Sequence, residues 1–212
     1  MDEIEYIAPQ EIEKRSFEII KIELMEKGVT LPPEQEDIII RVIHTTADFD
    51  FVKTLYFSPG AIEKARELIR GGATIITDTG MALSGINKKR LSSFGGSALT
   101  FMSDESVEKE AKVRGVTRAW VSMERASRIK GKKIFAIGNA PTALLSLHSM
   151  MEKKIFTPDL VIAVPVGFVN VVQSKELIMD SKVPCIVNRG RKGGSTVCAA
   201  IVNALTKGCE GE

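Results

Sequence analysis

The chain has 212 residues, of which 44% are hydrophobic and 26% charged, a composition that is ordinary for one folded domain. Its net charge of +2, with acids and bases interspersed, argues against a nucleic-acid-binding surface. No apolar run reaches the roughly 18 residues of a membrane span, the acidic residues 1–5 are unlike a signal peptide, and the three cysteines lack a disulfide or metal-binding pattern. We therefore expect a cytoplasmic protein with no nucleic-acid partner, no membrane partner and no metal site.

Helical patterns dominate residues 1–72. The first predicted helix covers residues 9–27, with a proline in its first turn and a glycine after its end. The second covers residues 32–44, begins with two prolines and carries acidic residues in its first turn, where the helix dipole favours them. A third predicted helix covers residues 58–72.

Strand patterns begin at residues 73–77 and alternate with helical patterns as far as residue 207. A short strand is predicted at residues 98–102, and two helices broken near Gly115 are predicted within residues 104–130. Three further units each contain an apolar run, a turn rich in Gly, Pro or Asn, and a helical pattern; their apolar runs are residues 134–137, 160–164 and 185–187. Such units predict a three-layer α/β fold, with a mainly parallel sheet between two layers of helices.

The carboxyl ends of parallel strands form one edge of a sheet, called here the sheet mouth, and α/β proteins bind ligands there. The first two predicted helices have no strand beside them, so we expect them to cover the sheet mouth or a neighbouring subunit. Residues 1–212 contain no fixed repeat and no long linker. They are expected to form a single domain, with a helical part at 1–72 and the strand–turn–helix units at 73–207.

His44 is the main candidate for proton transfer, because imidazole exchanges its proton near neutral pH. Asp37, Arg41, His44 and Asp48 share one face of the second predicted helix by their spacing. Arg41 would lie one turn from His44 and hold an anionic group beside it. The alternative is a solvated, charged helix face with a spectator histidine.

Residues 190–196, Gly-Arg-Lys-Gly-Gly-Ser-Thr, form a glycine-rich turn that leads into the last predicted helix. The free N–H groups of a helix N-terminus suit phosphate and carboxylate equally well. The spacing matches neither a P-loop nor a dinucleotide-binding motif, and the alternative is a tight turn that needs positive φ. Asp78 and Asn139 each follow a predicted strand, and both are either site residues or helix caps.

Three other polar residues have structural alternatives. Arg15 and Ser16 lie within the first predicted helix, where a serine commonly faces solvent or donates to a backbone carbonyl. His148 shares an apolar helix face with Leu144 and Leu147, which favours a core or interface histidine. On the residues alone, the chain is an enzyme that uses proton transfer, or a binding module.

Four motifs together resemble the precorrin-8X methylmutases, a family that includes the cobalt-precorrin-8 methylmutases of vitamin B12 biosynthesis. They are Arg-Val-Ile-His at 41–44, Gly-Asn-Ala-Pro-Thr-Ala-Leu at 138–144, Pro-Val-Gly-Phe-Val at 165–169 with Ser-Lys-Glu at 174–176, and Gly-Arg-Lys-Gly-Gly-Ser at 190–195. Tyr-Ile at 6–7 and Arg-Ser-Phe at 15–17 also fit. The resemblance therefore covers nearly the whole chain, in order.

This resemblance implies a homodimeric, cofactor-independent isomerase with its pocket near the subunit interface. It would move a methyl group from carbon 11 to carbon 12 of (cobalt-)precorrin-8, a tetrapyrrole, to give cobyrinic or hydrogenobyrinic acid; cobalt, if present, belongs to the substrate. The resemblance places the catalytic histidine at His44, as proton donor or acceptor, and substrate contacts at Ser16 and Arg41. The full set of candidate substrate-binding residues is Ser16, Arg41, Arg15, Asn139, Gly167, Arg189, Gly193 and Ser195.

The segment after His44 is more acidic than the family pattern leads us to expect. A pair between Asp48 and His44 would raise the pKa of the imidazole and favour an acid over a base. A pair between Asp48 and Arg41 would have no such effect.

Two other functions compete with the isomerase. The first is a non-catalytic corrinoid- or nucleotide-binding α/β module, for which His44 has no special importance. The second is a phosphoanion-dependent transferase that uses residues 190–196, although the sequence offers it neither a nucleophile nor a metal site. Fold alone does not separate these functions.

Overall fold

The computed structural model describes residues 5–210; residues 1–4 and 211–212, which include most of the acidic segment 1–5 and both ends of the expected domain, lie outside this range. The described strands are β1 (Leu55–Phe57), β2 (Thr74–Thr77), β3 (Ser97–Leu99), β4 (Lys133–Ile137), β5 (Leu160–Ala163) and β6 (Cys185–Asn188). They form one sheet in the order β1-β6-β5-β4-β2-β3, in which β1 is antiparallel to β6 and the other pairs are parallel. The parallel strands end at one edge, which is the sheet mouth.

Helices cover both faces of this sheet. They are α1 (Ile12–Glu26), α2 (Pro33–Thr46), α3 (Phe51–Thr54), α4 (Ala61–Arg70), α5 (Gly80–Gly85), α6 (Lys88–Ser93), α7 (Glu105–Arg114), α8 (Arg118–Ser127), α9 (Pro141–Glu152), α10 (Val171–Asp180) and α11 (Ser195–Lys207), with a 3₁₀ turn at Pro9–Glu11. One hydrophobic core contains side chains of α2, α4 and α11, and a second contains side chains of α8, α9 and α10. The predicted three-layer α/β fold is confirmed.

The central strands are apolar along their length because both of their faces are covered. In β4, Ile134 and Ala136 join the first core, whereas Phe135 and Ile137 join the second. This follows from the two-residue period of a strand. The same alternation in β5 and β6 explains why the sequence shows continuous apolar runs at these positions.

Helix α2 packs mainly on α11. Helix α2 buries Ile38, Ile39, Ile40, Val42 and Ile43, and α1 packs against α2. Helix α2 ends at Thr46, and Ala47 then adopts a left-handed conformation with φ of 52°. Asp48 and Asp50, which follow α2, form ion pairs with Lys192 in the turn after β6. The N-terminal helices therefore reach the sheet mouth through the segment that follows α2.

Strand β1 lies within the segment 1–72, which the sequence pattern describes only as helical. Its three residues are too few to show a strand period, and it forms by pairing with β6, for example Tyr56 with Val187. Helices α5 and α6, of six residues each, are likewise not apparent from the sequence.

We predict that Ile39→Ala destabilises the protein by about 2–5 kcal/mol, because it opens a cavity between α2 and the rest of the core. Ile39 is 2% exposed, whereas Ile22 on α1 is 46% exposed, so Ile22→Ala is the matched control with a small effect. Urea unfolding of both variants measures the difference. Equal losses would contradict the packing of α2 described here.

Candidate active site at the sheet mouth

The turns that follow β4, β5 and β6 contact one another through their backbones. The N–H of Gly194 donates to the carbonyl of Val164 over 2.9 Å, and the N–H of Gly167 donates to the carbonyl of Arg191 over 3.1 Å. A Cβ added at Gly138 would lie 2.8 Å from the Cα of Ser195. The three turns therefore form one continuous surface at the sheet mouth.

Gly193 is required by a close approach of two chain segments. Its φ is 152°, and an added Cβ would lie 2.1 Å from the carbonyl oxygen of Val164. Such a distance is far inside van der Waals contact, so no larger residue fits without moving the backbone. Close packing and positive φ thus account for the glycine at this position without a bound ligand. The turn after β6 lies directly against the end of β5.

Ser195 begins α11, and its hydroxyl lies 2.8 Å from the hydroxyl of Thr79. The Thr79 hydroxyl also accepts the N–H of Ala82 over 3.0 Å and thereby caps α5. These contacts join the turn after β2 to the start of α11.

Asp78 supports the turn after β4 rather than facing the mouth. Its carboxylate is fully buried and accepts the N–H groups of Gly138, Asn139 and Ala140 at 2.8, 2.8 and 2.6 Å. Burial raises the pKa of this carboxyl, while the three donors act in the opposite direction. Of the two sequence interpretations, the capping role fits these contacts; Asn139 contributes its N–H to the turn, and the residue is exposed.

Lys175 on α10 is a buried cation that the candidate residues did not include. The residue is 1% exposed, and its ammonium donates to the carbonyls of Gly190 at 2.7 Å and Lys192 at 2.9 Å. Burial lowers its pKa to about 8. The sequence does hint at this burial, because the spacing of one helix face places Lys175 among inward residues. That face contains Val171, Ser174, Lys175 and Ile178.

Asn188, the last residue of β6, is also buried and was also missed. Its side-chain oxygen accepts the hydroxyl of Thr54 at 2.6 Å, and its amide donates to the carbonyl of Lys192 at 2.8 Å. The next residue, Arg189, donates its N–H to Thr54 and places its guanidinium 4.9 Å from the ring centre of Tyr56. This end of β6 is therefore joined to the segment that follows α2.

Lys192 connects the turn after β6 with the end of α2. Its ammonium lies 2.6 Å from the carboxylate of Asp48 and 2.6 Å from that of Asp50. The hydrogen bond from Lys192 lowers the pKa of Asp48. Both pairings considered from the sequence, Asp48 with His44 and Asp48 with Arg41, are wrong, because the turn brings Lys192 to this carboxylate.

His44 and Arg41 lie on α2 and share Phe17 of α1 as a neighbour. The His44 residue is exposed, and its ring meets that of Phe17 edge to face, with centres 5.4 Å apart. The Arg41 guanidinium lies 4.8 Å from the Phe17 ring centre and binds both carboxylate oxygens of Glu13, at 2.9 and 3.0 Å. The partner of Arg41 is therefore Glu13 of α1 and not an aspartate of its own helix.

The other candidates on α1 make local contacts. The hydroxyl of Ser16 donates to the carbonyl of Ile12 at 2.9 Å, and Arg15 forms an ion pair with Glu5 at 2.7 Å. His148 is partly buried on α9, the helix layer on the other face of the sheet. The candidate substrate and proton-transfer residues thus form two groups, one on α1 and α2 and one at the sheet mouth. Lys192 joins the sheet mouth to Asp48 and Asp50, which follow α2.

A polar cavity of about 280 Å³ opens beside Arg41. It is lined by Glu13, Arg41, Asn87, Arg90, Asn203 and Lys207. Its three basic side chains are ion-paired, Arg41 and Lys207 with Glu13 and Arg90 with Glu210, so an anionic group would bind here by replacing a carboxylate.

Within residues 5–210, no three His, Cys, Asp or Glu side chains are grouped closely enough to hold a metal ion. No described helix has the length and apolar character needed to cross a membrane.

We predict that Gly193→Ala separates the turn after β6 from β5, because its methyl group would overlap the carbonyl of Val164. The expected loss of stability is more than about 2 kcal/mol, measured by urea unfolding. Gly190→Ala is the control, since Gly190 has positive φ but no atom within 4 Å of an added Cβ. A Gly193→Ala variant no less stable than Gly190→Ala would contradict the close approach.

Comparison with known proteins gives a consistent result along the chain. The family described as precorrin-8X methylmutase matches residues 11–208. The cobalt-precorrin-8 methylmutase of Priestia megaterium is 44% identical over 94% of this chain and 88% of its own length, and that of Salmonella typhimurium is 46% identical over 93% and 94%. A solved precorrin-8X methylmutase from Thermus thermophilus superposes with a TM-score of 0.84 at 36% identity, over 94% of this chain and 96% of its own.

These matches extend over both groups of candidate residues and over the whole sheet. Identity well above 30% across nearly the full length of each relative goes beyond a shared fold. The chain therefore belongs to the precorrin-8X methylmutase family and is an isomerase of cobalamin biosynthesis.

Proposed function

We propose that this enzyme moves a methyl group from carbon 11 to carbon 12 of (cobalt-)precorrin-8, with the substrate bound between His44 and the turns of the sheet mouth. The observation that carries this proposal is the placement of His44. His44 is exposed and lies beside Phe17. It belongs to α2, and the segment after this helix contacts Lys192 at the sheet mouth. A flat, ring-shaped substrate at the mouth would therefore meet a proton donor at its rim.

The methyl group moves within one molecule, so the protein neither receives nor supplies it. In this proposal His44 gives a proton or hydrogen bond to the conjugated ring, shifts its electron density during the migration, and recovers the proton as product forms. General acid help of this kind contributes about 10²–10⁴-fold. The remaining acceleration comes from holding the flexible ring near its reactive shape. No cofactor is needed, and cobalt, where present, is part of the substrate.

The carboxylate arms of the tetrapyrrole need donors around the pocket. Arg41 and the polar cavity beside it supply cationic donors, and the turn after β6 supplies N–H groups. Since Glu13 now occupies the Arg41 guanidinium, a substrate carboxylate would replace Glu13 there. The remaining proposed contacts are Arg15, Ser16, Asn139, Gly167, Arg189, Gly193 and Ser195.

The same proposal includes a homodimer whose interface lies near the site. Exposed apolar side chains close to both groups of candidate residues support it, because such surfaces commonly mark protein interfaces. Val166, Phe168 and Val169 in the turn after β5 are 46%, 79% and 78% exposed, and Ile12 and Ile19 on α1 are 51% and 42% exposed. The cytoplasmic location expected from the sequence stays a prediction.

We predict that His44→Ala lowers turnover by about 10²–10⁴-fold while the affinity for the product changes little, because the imidazole acts on the reacting ring. Absorbance spectroscopy measures both turnover and binding of cobyrinic or hydrogenobyrinic acid. His148→Ala removes the other histidine of the sequence and should be fully active.

Two outcomes would contradict this assignment. Unchanged turnover in His44→Ala would remove the proton-donor role. Tight corrinoid binding by the wild type without any isomerisation would favour the non-catalytic binding module instead.

We predict that Arg41→Ala weakens product binding by about 10–100-fold, as expected when a charged hydrogen bond to a carboxylate is lost. Arg114→Ala is the matched control, because Arg114 forms a comparable two-oxygen ion pair with Glu124 between α7 and α8. Titration followed by absorbance measures the dissociation constants. An unaltered constant in Arg41→Ala would remove this residue from the site.

A further inference from the structure

We propose that Lys175 is a positioning residue of this site: it fixes the backbone of the turn after β6 and, through Lys192, the end of α2 that carries His44. This inference rests on the proposed function, which places the substrate against that turn and His44. Lys175 itself is 1% exposed and so does not touch the substrate.

The first step is the contact of the Lys175 ammonium with the backbone. It donates to the carbonyls of Gly190 and Lys192, at 2.7 and 2.9 Å. Asn188, also buried, donates to the same Lys192 carbonyl at 2.8 Å. Two buried side chains therefore hold the carbonyl groups of this turn toward the protein interior.

The second step concerns the backbone N–H groups of this turn, which point away from the protein interior. Within residues 5–210, the N–H groups of residues 190–193 donate to no protein acceptor, whereas the next one, Gly194, donates to Val164. In a trans peptide the carbonyl and the following N–H point in opposite directions. The inward carbonyls of Gly190 and Lys192 therefore turn the N–H groups of Arg191 and Gly193 outward, toward a carboxylate of the substrate. Without Lys175, the Gly190 carbonyl would lose its side-chain donor and the Lys192 carbonyl would keep only Asn188, so the Gly190 carbonyl could turn outward and repel that carboxylate.

The third step is the connection to α2. Lys192 is fixed at its carbonyl by Lys175 and Asn188, and its own ammonium contacts Asp48 and Asp50, both at 2.6 Å. These aspartates follow the last turn of α2, one helical turn or more after His44. A shift of the Lys192 backbone would thus move the anchor of the helix end that bears the proposed acid.

The chain contains a matched control for this role in Lys133. It is 4% exposed, and its ammonium donates to the carbonyls of Ile129 and Gly131, so it also serves a turn through two backbone acceptors. Lys133 is the first residue of β4 and lies at the edge of the sheet opposite the mouth. Replacement of either lysine by methionine removes a buried ammonium group that binds two backbone carbonyls. Only Lys175 binds the turn at the sheet mouth.

The experiment compares Lys175→Met with Lys133→Met in the full chain. Trypsin, which cuts after residues 189, 191 and 192, should cleave that turn at least about tenfold faster in Lys175→Met, because local opening exposes it. The KM for (cobalt-)precorrin-8 should rise and kcat should fall, each by up to about a hundredfold, as for a misplaced binding and catalytic group. Lys133→Met should match the wild type in cleavage of this turn, in KM and in kcat.

A second variant, Lys192→Met, tests the third step at a side chain that is 48% exposed. It should lower kcat more than it raises KM, because it releases the end of α2 while Lys175 still holds the turn. If Lys175→Met does not fold, Lys175→Gln, with a shorter neutral donor, replaces it with the same expected results.

A folded Lys175 variant with wild-type cleavage, KM and kcat would overturn the proposal, and so would equal changes in the Lys133 variant. Proteolysis needs no substrate, so it tests the turn independently of the reaction. Failure of the wild type to convert (cobalt-)precorrin-8 would instead refute the proposed function.

Discussion

The backbone contact between the end of β5 and the turn after β6 determines where the rest of the site lies. The Val164 carbonyl accepts the N–H of Gly194 and leaves no space for a side chain on Gly193. Gly194 directly precedes α11, so this contact places the start of α11, and α2 packs on α11. The position of His44 is therefore set through main-chain contact and helix packing, two features with little freedom to adjust.

Buried and exposed polar groups have different tasks around the sheet mouth. Asp78, Asn188 and Lys175 are buried, and each satisfies backbone groups of one turn. Such groups are costly to bury unless they are paired, and here the pairing shapes the turns. His44 and Arg189 are exposed, whereas Arg41 is partly exposed and paired with Glu13. The buried polar groups thus fix the backbone of the turns, while the exposed side chains lie on the surface above them.

Sequence patterns predict the strand–turn–helix units well, since β4, β5 and β6 are apolar on both faces and the following turns carry glycine and proline. They predict α1 from its proline, its apolar spacing and the glycine after its end, and α2 from its two prolines and its acidic first turn. They do not predict β1, because three residues show no period and the strand forms by pairing with β6. The partner of Asp48 was missed for the same reason: Lys192 is 144 residues away in the chain.

The candidate site was predicted partly by helix spacing and largely by family resemblance. Spacing alone places Arg41 and His44 on one face of α2, but it does not bring Phe17 and Glu13 of α1 against them. Lys175 could have been found as a cation at an inward helix position. Its acceptors, however, are backbone carbonyls, and no residue type in the sequence marks those.

Because α2 packs mainly on α11, its five buried apolar residues find their partners late during protein synthesis. On the order of 150 residues separate the two helices, which corresponds to roughly 8–30 s on the ribosome at ordinary elongation rates. During that interval α2 has α1 beside it but lacks α11, its main packing partner, and β1 lacks β6. A nascent chain stalled before α11 would therefore be a natural client for chaperones and proteases, even though the five residues are at most 2% exposed in the finished enzyme.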